Sequence, residues 1–206
     1  MDRMTRRFAA VLAVMGWWSL CTQLYLTTTH EMAAGRGFLW GLVVYFGYFT
    51  LLTNAYCALV ATAFAWRNRL SSGWDRWREP WVVTGAMASI IVVGSVFHLL
   101  LASSYHPQGL NWVVDRCFHT VMPVAFVVFW WRVVPRGSLH WGHLPPMMVY
   151  PSAYLGYLMV RGEVIGQYPY FFVDAARLGY SQVLVNSLGI ALLFVLLVAG
   201  AIRLRR

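Results

Sequence analysis

Apolar residues in this chain gather into six long runs, separated by short connections that carry most of the arginine, glycine and polar residues. The runs predict six membrane-crossing helices at about 8–27, 38–66, 80–103, 111–131, 144–160 and 181–202. A helix needs ~20 mostly apolar residues to cross ~30 Å of hydrocarbon. The second run is longer than a bilayer requires, so a tilted helix or a protruding end is expected. Pro145 and Pro146 open the fifth run, where proline is tolerated, and Pro151 should kink that helix or mark its true start. The first run follows Arg3, Arg6 and Arg7 as a signal peptide would. It continues from Phe8 to about Leu26 without a cleavage site, so it reads as a retained helix. The expected fold is an all-α integral membrane protein, a bundle of six transmembrane helices forming one domain over residues 1–206. Any chemistry must then be carried by the bundle or its loops.

Hydrophobic residues make up 60% of the 206 and charged residues only 11%, as that class requires. A net charge of +9 resembles a nucleic-acid signal, but its distribution argues against a nucleic-acid partner. All sixteen basic residues are arginine, and they cluster at the ends of the runs. With a cytoplasmic N-terminus, twelve of the sixteen fall on the cytoplasmic side, leaving Arg36, Arg116, Arg161 and Arg177 on the other. By the positive-inside rule both termini are expected in the cytoplasm of a multi-pass cell-membrane protein. Arginine use without lysine hints at a GC-rich bacterial genome, and the expected location is then a bacterial inner membrane. Tryptophans and tyrosines near the run ends read as interfacial anchors. Cys21, Cys57 and Cys117 form no CxxC pair or metal pattern and read as small apolar packing residues, so neither a metal nor a cofactor is expected.

Polar side chains inside the apolar runs are the candidates for function. Thr50, Thr53 and Asn54 fall near the middle of the second run, with Thr50 on the same face as both others. Either they serve chemistry or their side chains bond back to the helix backbone and to neighbouring helices. His119 should lie ~12 Å inside its helix at 1.5 Å per residue. Pro123, four residues later, frees the His119 carbonyl from helical bonding. Asp115, one turn before, is placed to orient the imidazole as the acid of a triad does. The structural alternatives are a histidine bonded across a helix interface and an ion pair of Asp115 with Arg116 or Arg161. His98 reads as a second pocket residue, a metal or haem ligand, or an interfacial hydrogen bonder. Asp174 and Glu163 are expected to pair with Arg161 or Arg177. The aromatic segment within 161–180 should pack over the outer mouth of the bundle as a lid. No GxSxG elbow, HExxH helix or phosphate-binding glycine loop occurs.

Three segments together resemble the androgen-induced, FAR-type six-helix membrane proteins and their bacterial relatives. They are Tyr48-Phe49-Thr50, His119-Thr120-Val121-Met122-Pro123, and Tyr168-Pro169-Tyr170-Phe171-Phe172-Val173-Asp174, in matching order and spacing over nearly the whole chain. Animal members of that family are threonine hydrolases that cleave fatty acid esters of hydroxy fatty acids. The resemblance implies a lipid ester hydrolase with Thr50 as nucleophile, Thr53 as its alternative, and His119 as base. Thr53, Asn54 or His98 would supply oxyanion donors, and Tyr168, Pro169, Tyr170 and Asp174 a pocket or lid. The implied partners are a lipid ester and membrane lipids. Two alternatives from other classes are a non-catalytic lipid-binding protein and an electron-transfer protein holding haem between His98 and His119.

Overall fold

The computed structural model describes residues 1–67 and 69–206 and is wholly helical, with no strand among the described residues. The helices are α1 (Arg3–Ala33), α2 (Phe38–Tyr45), α3 (Phe49–Ala65), α4 (Pro80–Val96) and α5 (Leu110–Arg116). They are followed by α6 (Met122–Val133), α7 (Leu144–Ile165), α8 (Ala175–Leu178) and α9 (Tyr180–Arg205). One wide π turn, Phe97–Leu101, extends α4, and another, Cys117–Val121, joins α5 to α6.

Close approach of α1 and α3 follows from small side chains. Ala9, Ala13 and Gly16 of α1 face Ala58, Ala61 and Ala65 of α3, and a Cβ at Gly16 would meet that of Ala58 at 3.0 Å. Small residues at such spacing let helix backbones pack where lipid supplies no hydrophobic drive. Bulkier residues from α4, α6 and α9, among them Ile90, Phe126, Phe129 and Phe194, fill the core beside them. Two polar groups in that core pair with each other and with the backbone: the Trp130 indole donates to Thr84 Oγ1 at 2.9 Å, and the Thr84 hydroxyl donates to Pro80 O.

One end of the bundle is capped by arginine. Arg6 donates to Ala65 O, Arg78 to Ala63 O and Arg205 to Trp131 O, so cations cover carbonyls at or near the C-terminal ends of α3 and α6. Those carbonyls lack helical partners and carry the negative end of the helix dipole.

Among the described residues four helices are long and apolar enough to cross a membrane: α1, α4 with its π turn, the α5–α6 unit, and α9. These mark the chain as a multi-pass membrane protein. The single span expected over 38–66 is broken instead. α2 and α3 meet at 76°, and they make a fifth crossing only if the bent pair is one span. The break falls at Phe46-Gly47-Tyr48, where a Cβ at Gly47 would lie 2.9 Å from the Arg161 guanidinium carbon. The expected fifth span is a helix, α7, running on to Ile165. It is not among the helices apolar enough to cross, since Tyr150, Tyr154, Tyr157, Arg161 and Glu163 punctuate it.

Side chains of α7 hold the break together. The Phe49 N–H donates to the Tyr154 hydroxyl at 3.1 Å, and that hydroxyl donates to Gly47 O at 2.9 Å. Tyr157 donates to Phe46 O and Arg161 to Val43 O. Interrupting a helix inside the bundle orphans backbone groups, and one face of α7 supplies their partners.

Candidate functional site

The break changes the position of Thr50. It is not mid-helix, as the unbroken apolar run suggests, but the second residue of α3. The Thr50 N–H makes no backbone hydrogen bond, whereas those of Leu51 and Leu52 both reach Tyr48 O. Thr50 therefore carries its hydroxyl at the positive end of a helix, where backbone N–H groups favour developing negative charge.

The π turn in Cys117–Val121 directs His119 toward it. Thr50 Oγ1 lies 3.4 Å from His119 Nε2, and His119 Nδ1 lies 2.9 Å from Asp115 Oδ1. Asp115 is 4% exposed, and its Oδ2 has no hydrogen-bond partner. Arg116 Nε stands 3.8 Å from that oxygen. A carboxylate is an acceptor only, so Nδ1 carries the proton and Nε2 turns its lone pair toward the Thr50 hydroxyl. The Phe97 ring stacks on the imidazole at 3.8 Å and 9°, and it comes from the other π turn. Wide π turns often accompany functional positions because they re-aim side chains without ending the helix. Gly94 makes room for this pairing: a Cβ there would lie 3.2 Å from His119 O and 3.3 Å from Pro123.

Two cavities meet at this cluster, sharing Thr50, Phe97, Leu101, His119 and Tyr170 as wall. One, about 140 Å³, is walled mainly by Val92, Val96, Leu155, Leu158, Ile190 and Phe194. The other, about 590 Å³, carries Gln23, His30, Glu31, Ser104, Asn111 and Asp115. An apolar chamber and a more polar one thus share the same hydroxyl and imidazole as wall.

Several expected roles change with the geometry. Asn54 is fully buried, and its amide donates to Thr50 O at 2.8 Å, so it braces the first turn of α3. Thr53, also fully buried, pairs with the Tyr150 hydroxyl at 2.9 Å and lines neither cavity. His98 lies on the exposed side of its π turn, 3.2 Å from Thr120 Oγ1, and is not a cavity residue. None of these three is aimed as an oxyanion donor. The Tyr170 hydroxyl shares the wall of both cavities with Thr50, and the Thr50 N–H makes no backbone hydrogen bond. The two histidines of the haem alternative turn to different partners, His119 Nε2 to Thr50 and His98 Nε2 to Thr120.

Part of the aromatic segment lies beside Thr50 and His119. Pro169 lines the polar chamber, Tyr170 lines both, and Phe172 and Val173 are buried beneath. Tyr168 seats its ring over Gly162 and donates to Glu163 at 3.3 Å. Asp174 is not in an ion pair; its carboxylate accepts from the Arg177 N–H at 3.1 Å and caps α8. Arg161 likewise bonds carbonyls, those of Val43 and Gln167, and not Asp115. The sequence reading missed Phe97 and Tyr154. Only Gly47 inside an apolar run signalled the break that gives Tyr154 its role.

No protein-family model matches this chain, and neither a curated protein nor a solved structure matches it.

Proposed function

We propose that the protein is an intramembrane hydrolase of lipid esters that uses a threonine nucleophile. The observation that carries this reading is the Thr50–His119–Asp115 chain, with Thr50 and His119 in the wall common to both cavities. A threonine hydroxyl is a poor nucleophile until an adjacent base removes its proton. His119 Nε2 takes that proton as Thr50 Oγ1 attacks the ester carbonyl. The tetrahedral oxyanion is held by the Thr50 N–H and the Tyr170 hydroxyl, at the positive end of α3. The C–O bond then breaks, and the alcohol leaves with the proton from His119. Water, deprotonated in turn by Nε2, hydrolyses the acyl-Thr50 ester and releases the acid. Asp115 holds the imidazole in the tautomer this sequence needs.

The resemblance to FAR-type proteins supports the same assignment, because its three segments supply Thr50, His119 and Tyr170 to one site. Fatty acid esters of hydroxy fatty acids are the substrates it suggests. The topology belongs to this proposal as well: six crossings, with α2–α3 as a broken span and α7 completing the set, and both termini in the cytoplasm of a bacterial inner membrane. The arginine-capped end would then face the cytoplasm. A non-catalytic lipid-binding protein would use the same cavities without turnover.

A fluorophosphonate probe tests the nucleophile directly. Peptide mass spectrometry of the labelled protein should find the adduct on Thr50, and labelling should vanish in His119→Ala. An adduct on Thr53, or none on the folded protein, would overturn the assignment.

A further inference from the structure

We infer that the polar chamber receives the alcohol half of the substrate, and that this half is a neutral, polyhydroxylated group of the glycerol or sugar kind. The inference rests on the hydrolase reading and departs from the substrate class that the resemblance suggests, whose alcohol half carries a carboxylate and a second hydrocarbon chain.

Size is the first argument. Hydrolysis needs one water on the far side of the scissile ester from the acyl chain, and a water occupies only ~10–15 Å³ of probe-filled space. The polar chamber measures about 590 Å³, several times the apolar one at about 140 Å³. So large a space next to the nucleophile fits a leaving group and not water alone.

Wall chemistry is the second. A second hydrocarbon chain would lie against Gln23, His30, Ser104 and Asn111 and strip them of water. Polar groups buried without a partner are costly, at roughly 1–3 kcal/mol each. A group carrying several hydroxyls would satisfy them: the Gln23 amide N–H is shared only with Thr27 Oγ1, at 3.1 Å, which leaves its carbonyl free.

Charge is the third. The ionisable carboxyls in this wall are Glu31 and Asp115, and no arginine lines the chamber; Arg36 reaches Glu31 without being part of the wall. A phosphate or carboxylate on the alcohol half would meet like charge close to His119, and the cations beside these carboxylates, Arg36 and Arg116, already face Glu31 and Asp115. The apolar chamber, walled by aliphatic and aromatic side chains, takes the acyl chain.

Two measurements on the detergent-purified full chain test this together. Equilibrium binding compares hexadecylglycerol ether, which cannot be hydrolysed, with a hexadecyl ether of equal chain length ending in a carboxylate. The glycerol ether should bind about tenfold more tightly, and Gln23→Leu with Asn111→Leu should erase most of that ratio. Turnover then compares monopalmitoylglycerol with the palmitate ester of hydroxystearic acid, and kcat/KM should favour the glycerol ester by about tenfold. Selective ether binding without turnover of either ester would sink the hydrolase reading and leave the chamber assignment standing. Turnover with equal binding of the two ethers, or a ratio unmoved by the double variant, would overturn the assignment and leave the hydrolase.

Discussion

Thr50 Oγ1 and His119 Nε2 lie 3.4 Å apart although 69 positions separate the two residues. Each reaches the meeting point from an irregular place in its helix: Thr50 from the first turn after the α2–α3 break, His119 from a π turn just before Pro123. The distance is at the long end for an O–H···N hydrogen bond, as resting nucleophile–base pairs often are before substrate tightens them.

Replacing Asp115 by asparagine should leave the fold intact and cripple turnover. The amide matches the carboxylate in shape, and Oδ2 already lacks a hydrogen-bond partner. An asparagine that presents its N–H₂ to Nδ1 forces the wrong tautomer and leaves Nε2 protonated, for a loss of up to about 10⁴-fold in kcat. Steady-state kinetics with a thermal melt on the same sample separates this from unfolding, and the melting temperature should move by only a few degrees.

Tyr154→Phe removes one oxygen and two hydrogen bonds, those to the Phe49 N–H and Gly47 O. Each backbone group left unpaired should cost roughly 1–3 kcal/mol locally, loosening the turn that aims Thr50. The expected signature is a kcat lowered by about tenfold or more with KM little changed, since misaimed groups lose rate more than binding. A fall in affinity alone would place Tyr154 in substrate binding.

Gly162→Ala should dislodge the lid. A Cβ there would fall 2.0 Å from the Tyr168 ring, too close for any small adjustment. Overpacking of this kind costs about 1–3 kcal/mol, which the segment Gln167–Tyr170 can escape by lifting away. Limited proteolysis should then cut in 166–170 faster than in the wild type.

Ala191→Phe should shorten the preferred acyl chain. Ala191 lines the apolar chamber with Phe194 and Ile190, and a phenyl group there takes up space meant for the far end of the chain. Turnover across esters of graded acyl length should peak at a shorter chain, with short-chain rates kept within about threefold of the wild type.

The helical class and the gathering of arginine at the run ends follow from patterns of residue type along the chain. Such patterns survive whatever the tertiary detail. Asp115 beside His119 was equally legible, because i and i+4 share a helix face whether the turn is α or nearly so. The α2–α3 break was not. Its apolar run is continuous, and the residues that make an interrupted helix tolerable, Tyr154, Tyr157 and Arg161, lie about a hundred positions away. Thr53 stayed open as an alternative nucleophile, and Asn54 as a supporting donor, for the same reason; the break puts Thr50 in the first turn and leaves the other two facing protein. His98 misled because a π turn shifts which side chains point inward, and Phe97 took the inner position.

The most direct measurement is release of free fatty acid from a lipid ester by purified wild type and by Thr50→Ala, each shown to be folded. Release by the wild type and background release by Thr50→Ala is the result this account predicts. Equal release by both proteins would contradict it.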